Sequence, residues 1–102
     1  MAVVEVSITP LGTGTPGVSE YVAGALRILR ESGLNHQLTP MGTIMEGDLD
    51  RIFATIRQMQ ESVFSSGAVR VSTLIKIDDR RDRTDHTMAG KVKSVEEKLR
   101  EP

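Results

Sequence analysis

From Val69 to Arg80 the chain reads V-R-V-S-T-L-I-K-I-D-D-R, and its side chains alternate in character. Val69, Val71, Thr73, Ile75 and Ile77 share one parity, while Arg70, Ser72, Lys76 and Asp78 share the other; Leu74 alone breaks the rule. Successive side chains of a strand point to opposite faces, so this run predicts a strand with an apolar face for a core and a polar face opposite. Such a strand needs neighbours beside it and a layer over its apolar side. The cation, hydroxyl and Lys-x-Asp pair along its polar line suggest a sheet surface that meets a ligand or another subunit.

The rest of the chain supplies those neighbours. Val4, Val6 and Ile8 alternate with Glu5, Ser7 and Thr9, predicting a first strand that ends at Pro10. Glu5 and Ser7 should then face the same side as Arg70, Ser72 and Lys76, with Glu5 in reach of a cation across the ladder. Leu11 to Gly17 is a loop, broken by Gly-Thr pairs and Pro16. Ser19 is the expected N-cap of a helix with Val22, Ala25, Leu26 and Leu29 on one face, closed by Gly33. His36, Leu38 and Pro40 belong to a second extended stretch, weakened by its proline, and Met41 to Gly47 reads as a turn and a short third strand. Asp48 caps a second helix, whose stripe is Leu49, Ile52, Phe53, Ile56, Met59 or Gln60, and Val63; Gly67 closes it. The order β-α-β-β-α-β is the split βαβ, ferredoxin-like arrangement, an α+β fold in which the first and last strands are antiparallel neighbours and both helices cover one face.

A charged connector, D-D-R-R-D-R-T-D-H, leads to a third predicted helix over Thr87 to Arg100. Its apolar positions, Met88, Val92, Val95 and Leu99, form a narrow seam of the coiled-coil kind, too thin for a core helix. Two roles remain open for it: docking on the edge of its own sheet, or packing on a sister subunit. The expected organisation is one domain over residues 1–102, with a core over 1–80 and a C-terminal helix over 85–100.

Composition removes several functional classes. Thirteen Lys and Arg against 14 Asp and Glu leave a formal net charge of -1, which lacks the clustered positive charge that nucleic-acid backbones require. Three aromatic residues, Tyr21, Phe53 and Phe64, are too few for stacking platforms on single strands. Cysteine is absent, so disulfides, thiolate metal sites and a Cys nucleophile are excluded. The N-terminal segment carries Glu5 and no basic run, so it is expected to be a strand and not a signal peptide. No apolar run is long enough for a membrane span. A soluble, cytoplasmic domain with neither nucleic-acid nor membrane partners is expected.

Little in the sequence suggests catalysis. His36 and His86 are far apart and have no partner at metal-ligand spacing, so no metal site is expected; Asp85 beside His86 reads as a surface pair. Asp48 and Asp50 stand where a helix N-terminus favours negative charge. The Leu11–Gly17 loop is rich in Gly and Thr but lacks the P-loop lysine and the G-x-G-x-x-G spacing, so no nucleotide is expected. No nucleophile–base pair is evident. The residues alone lead to a small α+β binding or assembly domain.

Four segments carry a resemblance that goes further. P-L-G-T at Pro10 to Thr13, the helix start at Ser19 to Tyr21, M-G-T-I-M-E-G at Met41 to Gly47, and R-V-S-T-L-I-K-I-D-D-R at Arg70 to Arg80 stand in an order and spacing that resembles the small thiamine-binding protein family. The resemblance covers nearly the whole chain. It implies the ferredoxin-like fold, assembly into dimers and tetramers (a homotetramer built as a dimer of dimers), no catalytic activity and no cofactor. It also implies binding of thiamine or its hydroxymethyl-pyrimidine part in some members. An aminopyrimidine presents an exocyclic amine and ring nitrogens, which need an acceptor such as a carboxylate and donors such as hydroxyls. Glu46, Thr43, Ser19 and Ser7 are groups of those types at matching motif positions, Glu46 being expected to accept from the amine. The alternative is a structural or regulatory homo-oligomer whose polar sheet face is a subunit interface.

Overall fold

The computed structural model of the protein describes residues 1–83 and 86–101; Asp85, and with it the Asp85–His86 pair, lies outside them. Seven elements follow one another: β1 (Ala2–Pro10), α1 (Ser19–Ser32), β2 (Asn35–Thr39), β3 (Gly42–Gly47), α2 (Leu49–Ser65), β4 (Val71–Asp79) and α3 (Met88–Leu99). The strands form one antiparallel sheet in the order β2-β3-β1-β4. This is the ferredoxin-like β-α-β-β-α-β fold with an added C-terminal helix.

β1 is central and is flanked unequally. It pairs with β4 along its whole length, from Ala2↔Asp79 to Pro10↔Val71. With β3 it pairs only from Ala2↔Gly47 to Val6↔Thr43. Glu5 stands opposite Lys76, and Ser7 opposite Leu74, so the polar residues of β1 and β4 share the sheet face away from α1 and α2.

The other face holds the core. Ala2, Val4 and Val6 of β1 and Met45 of β3 bury against Ala25 and Leu29 of α1 and Ile52, Ile56, Met59 and Val63 of α2. Burying a large aliphatic side chain contributes roughly 1.5–3 kcal/mol, so this layer holds the sheet and helices together. α1 stops at Gly33, whose φ of 77° is open to glycine at no steric cost and whose N–H donates to the Arg30 carbonyl. Asp48 caps α2 by accepting from Arg51 N at 3.1 Å.

Local details depart from the sequence-based expectation. Ser19 is not a cap: the Val18 carbonyl accepts from Val22 N at 3.1 Å, so α1 is entered one residue earlier and Ser19 is its first helical residue. On α2, Phe53 is 43% exposed and Thr55 is buried in its place. Thr55 is three residues after Ile52 and four before Met59, at the centre of the buried stripe. Its hydroxyl is satisfied within the helix, donating to the Arg51 carbonyl at 2.8 Å. Val69 is 88% exposed and precedes β4. Its register partner on β1 would be Gly12, which turns away with φ 71°.

α3 has no buried residue. Val92 and Val95 are 57% and 58% exposed, and Leu99 more so. The radius of gyration is 15.5 Å, against roughly 13 Å for a compact chain of this length, as expected when one helix stands away from the body. No helix among the described residues is long and apolar enough to cross a membrane.

Candidate functional site

The unequal flanking of β1 creates a cleft. Beyond Val6 the β3 side of β1 has no strand beside it, because the chain reverses at Thr39–Gly42 before β3 can extend further. The Thr39 hydroxyl shapes this reversal: it donates to the Gly42 carbonyl at 2.7 Å and accepts from Gly42 N at 3.2 Å. Gly42 suits the tight approach, since a Cβ there would lie 3.1 Å from the Val6 carbonyl oxygen. The gap that remains has a volume of about 210 Å³. Ser7 and Ile8 line it from the strand edge, Thr43 and Met41 from the hairpin, Tyr21 from α1 and Met59 from α2.

Two of the four predicted binding residues border this cleft, on different faces of the sheet. Thr43 stands opposite Val6 on the helix side and lines the cleft with its hydroxyl, which has no hydrogen-bond partner among the described residues. Ser7 borders the cleft at the strand edge, while its side chain shares the open face with Glu5. Ser19 is exposed at the start of α1, next to the cleft-lining Val18. Glu46 does not join them. It is three residues from Thr43 on a strand of period two, and its cross-strand partner is Val3, on the sheet face opposite the helices. Sequence reasoning also passed over Tyr21 as a site residue. Its one signal was its place in the first turn of α1, which the fold sets over the short end of β3.

Glu46 has a different set of contacts. It is 7% exposed, and its carboxylate accepts from Asn35 Nδ2 on β2 and from the Met88 backbone N–H at 2.6 Å. Met88 opens α3, where the helix dipole favours a negative charge. The Thr87 hydroxyl caps the same turn by accepting from Gly90 N at 3.0 Å. Asp78 on β4 makes a second attachment: Lys91 Nζ donates to it, and His86 Nε2 lies 3.3 Å away. The Lys91 hydrogen bond holds the Asp78 carboxyl below its usual value of 3.8. Two carboxylates on the open face of the sheet thus hold the first turn of α3. His36 is occupied elsewhere, its Nδ1 2.9 Å from the Leu34 carbonyl. No group of three or more His, Cys, Asp or Glu among the described residues is placed to hold a metal ion.

Comparison with known proteins agrees with this architecture. Residues 4–96 match the family model described as thiamine-binding protein. The protein YqgV of Bacillus subtilis is 46% identical over 103 aligned residues, covering 97% of this chain and 98% of its own. The crystal structure of a hypothetical protein from Methanocaldococcus jannaschii superposes with a TM-score of 0.85 at 36% identity, covering 94% of this chain and 96% of that one. A Thermotoga maritima structure, named for thiamine biosynthesis or salvage, has a TM-score of 0.77 over 92% of this chain and 97% of its own; at 19% identity it speaks for the fold alone. Matched over almost its full length by the family model and by relatives of this identity, the chain belongs to the thiamine-binding protein family.

Proposed function

We propose that the protein binds thiamine, or the hydroxymethyl-pyrimidine part of it, in the cleft beside β1, without turnover. The observation that carries this reading is the Thr43 hydroxyl: it lines a small, mostly apolar cleft and has no partner among the described residues, in a chain of the thiamine-binding family. A lined hydroxyl of this kind can donate to a ring nitrogen or accept from an amine. Ser7 contributes to the strand edge that borders the cleft, Ser19 stands at the rim, and Tyr21 offers a ring to a planar or cationic ligand. Glu46 acts apart from this site, fixing α3 and β2 on the opposite face. Calorimetric titration with thiamine and with the free hydroxymethyl-pyrimidine tests the proposal. Saturable binding with no product is expected; a flat titration to millimolar ligand defeats it.

The protein acts as a homo-oligomer in this reading, a homotetramer built as a dimer of dimers. The exposed valines of α3 and the exposed Leu74 on the open sheet face support it, because self-complementary apolar surfaces are usually buried in closed symmetric assemblies. The residue 1–80 core and the C-terminal helix would then divide the work, the core carrying the ligand and α3 carrying contacts between subunits.

A further inference from the structure

The backbone at Ile8 follows from the hydrogen-bond pattern of the sheet. Leu11 N donates to the Arg70 carbonyl at 2.8 Å, continuing the series Ser7↔Leu74 and Thr9↔Ser72. Bonded and non-bonded pairs alternate along an antiparallel ladder. Glu5, Ser7, Thr9 and Leu11 therefore turn their backbone N–H and C=O toward β4, and Val4, Val6 and Ile8 turn theirs toward β3. Val4 and Val6 meet Met45 and Thr43 there. Ile8 meets nothing: its counterpart in register would be Met41, which lies in the reversal and whose own N–H goes to the Thr39 hydroxyl at 3.4 Å. Pro10, the next residue facing this side, has no N–H. Its carbonyl lies beyond the cleft lining, so within that lining one donor and one acceptor, both from Ile8, are left side by side on the strand edge.

We infer that this unpaired Ile8 N–H and C=O form the recognition element of the cleft, selecting a flat heterocycle that carries a ring-nitrogen acceptor next to an amine donor. Strand-edge groups that are covered by a ligand need partners, and this ligand edge offers one of each in complementary order. An extended peptide fits less well, since it needs a repeating row of donors and the edge has one. A gap of about 210 Å³ also suits a ring better than a strand. The inference deepens the proposed thiamine-class function and rests on it, because an aminopyrimidine carries this donor–acceptor pair. It also frees recognition of the amine from Glu46.

Amide exchange and ¹⁵N NMR on the full chain test it. In the free protein the Ile8 amide should exchange faster than those of Val6 and Thr9, which have strand partners. Saturation with hydroxymethyl-aminopyrimidine should move the Ile8 resonance downfield and slow its exchange roughly tenfold or more. The 4-oxo analogue puts an acceptor against the Ile8 carbonyl and a donor against its N–H, and should bind at least about 100-fold more weakly. Calorimetric binding of the aminopyrimidine with no response at Ile8, or equal binding of the 4-oxo analogue, overturns the inference and leaves the thiamine-class function standing. If thiamine and its pyrimidine fail to bind while 2-aminopyridine moves Ile8, the recognition element survives and the thiamine assignment falls. No response at Ile8 to any of these compounds overturns it.

Discussion

Thr43 and Glu46 divide their work because they stand three positions apart on β3. The odd interval turns Thr43 toward the helices and the cleft and Glu46 toward the open face, where Asn35 and the Met88 N–H engage it. Each role has its own test. Thr43→Val keeps the shape and removes the hydroxyl, so ligand affinity should fall about 2- to 12-fold, the value of one neutral hydrogen bond, with the unfolding midpoint little changed. Unchanged affinity would take Thr43 out of the contact set. Glu46→Ala leaves the Met88 N–H without its charged acceptor. Hydrogen bonds to charged groups are worth roughly 1.5–3 kcal/mol, so exchange at the Met88 amide should accelerate roughly ten- to a hundredfold. Titration of the same variant should show ligand affinity within about twofold of the parent, a difference smaller than one lost hydrogen bond. A larger loss would return Glu46 to the binding site.

At the scale of elements, α3 is the least secured part of the fold. No residue of its apolar seam is fully buried, and polar contacts to Glu46 and Asp78 carry its attachment. The Asp78 carboxyl is held below 3.8 chiefly by its hydrogen bond from Lys91. A carboxylate with a depressed folded value favours the attached state fully above its unfolded value, and that contribution is lost as pH falls through the folded one. The Asp78 contact should therefore hold α3 equally well from pH 8 down to about 5 and release it below about pH 4. Chemical shifts of α3 followed through an acid titration check this, with Asp78→Asn expected to shrink the low-pH step. A transition confined to the range between pH 5 and 8 would show that another group governs the attachment. The core elements should not share the step, since α1 and α2 are joined to the sheet by apolar contact.

For the whole molecule, the exposed seam of Val92, Val95 and Leu99 separates folding from assembly. Val95→Asp puts a charge where a sister subunit would place an apolar surface, and desolvating an unpaired charge costs several kcal/mol. Sedimentation equilibrium at micromolar concentration should show the parent above its 11.2 kDa chain mass and the variant shifted toward the monomer, with circular dichroism of the core unchanged. A parent that sediments as a monomer removes the assembly reading altogether. A variant that keeps the parent's subunit count assigns the interface to the open sheet face around Leu74 instead. Failure of the variant to fold would join α3 to the core.

The sequence by itself determined the element order, the polar and apolar faces of β1 and β4, the Asp48 cap, the Gly33 stop and the thin seam of α3. These follow from periods of two and 3.6 and from local steric rules, which act over a few residues. The opposed faces of Thr43 and Glu46 were also open to that arithmetic. Tertiary structure alone decided that β3 stops short of Ile8, that Tyr21 overlooks the resulting gap, and that Glu46 reaches Met88 across 42 positions of chain. Backbone N–H and C=O groups are the same at every residue except proline, so no local pattern distinguishes the one at Ile8. Whether such a group is paired depends on which strand lies beside it, and that was settled only when a nine-residue strand met a six-residue neighbour.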